Sequence, residues 1–244
     1  MSGYRDFLVR ADEYALLNGM GGDGRLPVLI GFAVQNYLNE GMGYDGFDGG
    51  VRRTWKSAAA FGLRKVLDDA DPCADLPRLA VVAVSLEFSP QLASWLIARS
   101  VLHDDAASRD DVLDDFLSRD EACVPRDEGM EALTDQVVDW ANSGGVDAGR
   151  MDAGRRVLDA LAATSRTGHG FDCGNVARQA CALRALLDLA VGDVAAAYRQ
   201  ASDVMAADPL NDLAFSLVER TYTLMNPDPG ASGVGLSDAS GRGM

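Results

Sequence analysis

A chain of 244 residues with a hydrophobic fraction of 48% carries enough apolar side chain for a sizeable core, built as one large domain or two small ones. Its formal net charge of −15 repels phosphate backbones, so no nucleic acid is expected as a partner. No apolar run approaches the roughly 18 residues of a membrane span, and Asp6, Asp12 and Glu13 do not suit a signal peptide, so a cytoplasmic protein without membrane contact is expected.

In chain order, apolar periodicity predicts helices over 4–18, 26–40, 52–69, 76–87, 90–103, 109–118, 128–142, 150–164, 175–191, 194–207 and 210–225. Between the first two, Gly19-Met20-Gly21-Gly22-Asp23-Gly24 matches the spacing of a dinucleotide-binding loop. That loop needs a strand before it, and Glu13 to Asn18 reads as helix, so a helix–helix turn is the better reading. The glycine-rich stretch 41–50 is too flexible for regular structure and predicts a mobile loop.

Directly after it comes Val51-Arg52-Arg53-Thr54-Trp55-Lys56, the one dense basic cluster. Guanidinium groups beside an aromatic ring suit an anion, either a phosphate or an acidic partner segment. Arg52, Arg53, Trp55 and Lys56 are therefore the candidate binding residues. The competing reading is a helix start whose bases neutralise the chain's own aspartates, with Trp55 in the core.

Residues 78–88 centre on Ala80-Val81-Val82-Ala83-Val84, a short apolar run that periodicity does not separate from a buried strand. With no partner strands nearby, helix is preferred. Ser89-Pro90 then starts a helix well, with Leu92, Trp95 and Leu96 on one face. The aspartates 68, 69 and 71, the pair 45 and 48, and the group 110, 111, 114 and 115 lack the alternating ligand order of a calcium loop and read as solvated faces.

His103 sits near a helix end among acids, a favourable electrostatic placement. His169 and Cys173, with Asp172 and Cys181, suggest zinc on paper, but Gly168, Gly170 and Gly174 interrupt any helix and a fourth ligand is not evident. Cys73, Cys123, Cys173 and Cys181 are widely spaced, which favours reduced thiols over a disulfide framework. No metal and no cofactor are expected. The two histidines build no nucleophilic triad, so whether the protein is an enzyme stays open.

The C-terminal part is the most legible. Val176, Ala180, Leu183 and Leu187 recur at helical spacing and run to Val191. Gly192 fits a left-handed helix end, and Asp193 fits the next cap. Val194, Ala197, Tyr198, Ala201, Val204 and Met205 form a second stripe, with alanines where two helices would cross closely. Asp208 and Pro209 predict the start of a third helix, whose stripe runs from Leu210 through Leu213, Leu217 and Thr221 to Leu224. Asn226-Pro227-Asp228-Pro229 stops it.

Gly192, Ala197 and Pro209 hold the turn-glycine, small-residue and terminal-proline places of a tetratricopeptide repeat, which this segment resembles; Cys181 and Asp188 stand at its aromatic places. There is no second copy, and the family's peptide groove needs several stacked units, so that binding function does not carry over. A second resemblance runs through Arg109-Asp110-Asp111-Val112-Leu113 and then Ala182 to Met225. Over these residues the C-terminal half resembles a family of bacterial proteins that carry a domain of unknown function, a family without an activity to transfer.

The expected architecture is all-α: a helical bundle with a C-terminal tetratricopeptide-like hairpin plus one further helix. Residues 1–143 would form an N-terminal helical region, with a hinge at Asn142-Ser143-Gly144-Gly145. Residues 146–226 would form a C-terminal bundle, and 227–244 a disordered tail poor in hydrophobes. The leading functional expectation is a helical protein-interaction or scaffold module whose partner is another protein. The alternative is a small-molecule or anion-binding protein or enzyme, with its site near the 41–56 loop.

Overall fold

The computed structural model describes residues 13, 25–41, 59, 62–68, 70–88, 90–101, 134–135, 137–139, 142, 146–166 and 173–227. Within them the architecture is all-α and contains no strand. Helix α1 (Arg25–Gly41) carries Pro27 in its first turn, where the missing N–H breaks no ladder bond. It buries Leu26, Leu29, Ile30 and Ala33 on one face. A short 3-10 helix at Pro72–Asp75 follows, capped by Asp71, whose carboxylate accepts from the Cys73 N–H at 2.9 Å.

Helix α2 (Leu76–Phe88) settles the one ambiguous segment as helix. Every residue from Leu79 to Val84 is at most 1% exposed. A helix buried on all sides loses the polar stripe that marks an amphipathic helix, which is why periodicity was silent here. It packs against α1 and against helix α3 (Pro90–Val101). In α3, Leu92, Trp95 and Leu96 are buried as their spacing predicts. The Arg99 guanidinium lies 5.8 Å from the centre of the Trp95 ring, within range of a cation–π contact.

Helix α4 (Ala148–Ala162) starts two residues earlier than expected, because Asp147 caps it by accepting from Gly149 and Arg150 at 2.9 and 3.1 Å. The Asp147 N–H also donates to the Val101 carbonyl at 2.8 Å, tying the start of α4 to the end of α3. A second 3-10 helix, Ala163–Arg166, ends this element.

Helix α5 (Gly174–Ala190) is buried along most of its length and touches α2, α3, α4 and the two helices that follow. Gly192 adopts φ +81°, and its N–H donates to Leu189 while that of Asp193 donates to Asp188, the hydrogen-bond pattern of a left-handed helix end. Asp193 then caps helix α6 (Val194–Ala207) through the Ala196 N–H at 3.0 Å. Ala197 and Ala201 are fully buried, which lets α6 approach its neighbours closely.

The last helix, α7 (Asp212–Met225), departs from expectation at its start. Asp208, Pro209 and Leu210 form a turn, closed by the Asn211 N–H on the Asp208 carbonyl at 3.1 Å. The cap is Asn211, which accepts from Ala214 at 2.9 Å and donates to buried Gln179 at 3.4 Å. That second bond to α5 fixes where α7 begins. It leaves Leu210, assigned from sequence to the inward stripe, 88% exposed; Val191 and Leu224 also lie on the surface.

A continuous hydrophobic core draws on all seven of these helices, from Leu26 to Leu217. The predicted helices 4–18 and 109–118 and the tail from 228 lie outside the described residues, apart from Glu13, as does the predicted loop 41–50 except for Gly41, which ends α1 as helix.

Candidate functional site

The predicted binding residues Arg52, Arg53, Trp55 and Lys56 lie outside the described residues, as do His103, His169 and Cys123. Of the acidic cluster at 68–71, Asp71 caps a 3-10 helix and Asp68 stands 3.6 Å from Lys65 at the surface. Cys173, one half of the His–Cys spacing, is buried, with its sulfur 3.9 Å from the Pro27 carbonyl. Among the described residues no three histidine, cysteine or carboxylate side chains stand close enough to hold a metal ion.

Three surface features remain. The first is a groove of about 560 Å³ where the end of α4 meets α5 and α6. Its floor is Ala162, Ala177 and Val204, and Arg178, Arg184 and Cys181 project from α5. Both arginines already have carboxylate partners. Arg184 pairs with Asp159, and Arg178 lies 3.5 Å from Asp208 while also donating to Asn175. With Asp203 on the opposite wall, positive charge in the groove is cancelled, and an anion finds no uncommitted anchor there. Just outside, Asp188 accepts from Arg155 and Gln200, each at 2.6 Å, and joins α4, α5 and α6 in one polar knot. Its atoms are committed to holding helices together.

The second is a polar cleft of about 530 Å³ between Thr134 and Asp135 on one side and Ser216, Glu219, Tyr222 and Thr223 of α7 on the other. Arg220 reaches across it to Asp135 at 3.9 Å.

The third is the outer face of α7. The described residues include six exposed large hydrophobic side chains, and five of them, Leu210, Phe215, Tyr222, Leu224 and Met225, fall in one segment of 16 residues. Phe215 and Tyr222 are 48% and 58% exposed. With half-buried Val218 they run at spacings of three, four and three to Met225, a second apolar stripe beside the one facing the core. Sequence reasoning missed this face because it assigned α7 a single stripe. The signal was present: α7 holds more apolar positions than one face accommodates.

Cys73 is exposed, yet its thiol pKa is raised above the ordinary value, first by partial desolvation and then by the nearby Asp71 carboxylate. No described helix is long and apolar enough to cross a membrane. Comparison with protein-family models, curated proteins and solved structures returns no match for this chain.

Proposed function

We propose that the protein is a helical protein-interaction module, and that the outer face of α7 is its contact surface. The observation that supports this reading is the run of Phe215, Val218, Tyr222 and Met225 along one side of α7. Isolated exposed hydrophobes are ordinary, but contiguous ones concentrated on a single helix mark contact surfaces. Tyrosine and phenylalanine are also side chains that carry binding energy at interfaces. The tetratricopeptide-like reading of α5 to α7 agrees with this role: arrays of stacked helices stay soluble by ending in a polar outer face, and on α7 an apolar stripe interrupts the polar outer side. In this reading the groove beside α5 is structural, since its charges are internally paired.

The test is site-specific photo-crosslinking in cells that make the protein. A photoreactive phenylalanine analogue at Tyr222 is expected to yield discrete protein adducts, whereas the same group at exposed Asp152 on α4 yields none. Equal labelling from both positions, or none from Tyr222, would reject the reading.

A further inference from the structure

We infer that the occupant of the α7 face is an amphipathic helix of another protein, with lysine or arginine flanking its apolar stripe; this rests on the interaction reading above. The shape argument comes first. Phe215 to Met225 spans about 15 Å at 1.5 Å per residue, three turns of helix. A ridged helical face receives another helix through apolar anchors at spacings of three and four, and it offers no unpaired backbone for an extended strand.

Charge decides what kind of helix. At about 100° per residue the four apolar positions of α7 fall within roughly 80° of one another. Glu219 and Asp212 occupy roughly the next 60°, seven residues apart and both exposed, with Glu219 also lining the cleft shared with Asp135. Arg220, the one base on α7, lies further round and turns towards Asp135. The border of the stripe is therefore acidic, on a chain of net charge −15. A second copy of the chain, or an anionic lipid surface, would bring like charges together along that border. A basic amphipathic helix meets both the stripe and its acidic edge.

The experiment uses the full chain and two labelled peptides with the same leucine stripe, one flanked by lysines and the other by glutamates, followed by fluorescence anisotropy. The lysine peptide is expected to bind saturably, one to one, at least tenfold tighter than the glutamate peptide. Tyr222→Asp and Phe215→Asp, both at exposed positions, are expected to weaken it at least tenfold with the melting temperature retained. Charge reversal at Asp212 and Glu219 to lysine is expected to reverse the peptide preference. Lysine-peptide binding that ignores Tyr222→Asp would be charge adsorption and would overturn the inference, as would equal affinity for both peptides or binding of neither. Concentration-dependent dimers abolished by Tyr222→Asp would also overturn it, in favour of a second copy, yet would leave the interaction reading standing. Failure of the Tyr222 photo-crosslink together with absence of any association would remove both.

Discussion

Gly154 packs closely against Ser100 where α3 and α4 meet, and replacing it tests the packing directly. A Cβ built on Gly154 would stand 2.7 Å from Ser100 Cβ and 3.4 Å from Leu187 Cδ1. Rotating the Ser100 hydroxyl does not relieve the first contact, because Cβ is fixed to the α3 backbone. Gly154→Ala must therefore move α3 away from α4, and overpacking of this kind costs about 1–3 kcal/mol. Alanine returns about 1 kcal/mol of helix propensity, leaving a net loss of up to about 2 kcal/mol. For a chain of this length that lowers Tm by up to about 8 °C, measured by circular dichroism at 222 nm, the standard helix wavelength. Two companions sharpen the result. At Gly62, also helical, the added methyl would meet Val82 Cγ2 at 3.5 Å, an ordinary contact, so Gly62→Ala is expected to keep or raise Tm. The double change Ser100→Gly with Gly154→Ala moves the small residue to the other helix. It is expected to recover most of the loss, less the Ser100 bond to the Leu96 carbonyl at 2.7 Å. A Gly154→Ala protein that melts above wild type would refute the close crossing.

Gly192→Ala is expected to cost about 1 kcal/mol, because φ +81° strains any residue with a Cβ although nothing crowds that position; an unchanged urea midpoint would contradict the left-handed turn. Ala197→Asp places a carboxylate at a fully buried site between helices and is expected to cost about 3–5 kcal/mol, read as a lost or strongly lowered thermal transition. Cys73, though exposed, is expected to react with a thiol reagent more slowly at neutral pH than a free peptide thiol, with its rate rising at higher pH. Its raised pKa favours the neutral thiol in the folded state. Its contribution to stability is therefore present at neutral pH and falls away as pH rises through that value. Reaction at the rate of a peptide thiol would argue against the desolvated setting.

Local chemistry was legible where a residue carries its own reason for being there. Gly192 needs no tertiary contact to favour a left-handed turn, and Asp193 caps whatever helix follows it. Ala197 and Ala201 announced a close crossing because their size permits little else at the centre of an apolar stripe. The all-α class followed from the same spacing rules. None of this reached the candidate surface: Arg52, Arg53, Trp55 and Lys56 lie outside the described residues, and Phe215, Tyr222 and Met225 had no place in the single stripe assigned to α7.

Tertiary structure decided what depends on a distant partner. The residues of α2 read as helix or strand alike until neighbours enclosed them on every side and removed the polar face that would have distinguished the two. Asn211 displaced Asp208 as the cap of α7 because Gln179, 32 residues earlier, supplies a buried amide partner. Gly154 reads as an ordinary helical glycine until Ser100 of another helix comes against it. The outward turn of Phe215 and Tyr222 has the same origin: spacing assigns a side chain to a face of its helix, but which face meets the core is set by the helices packed against it.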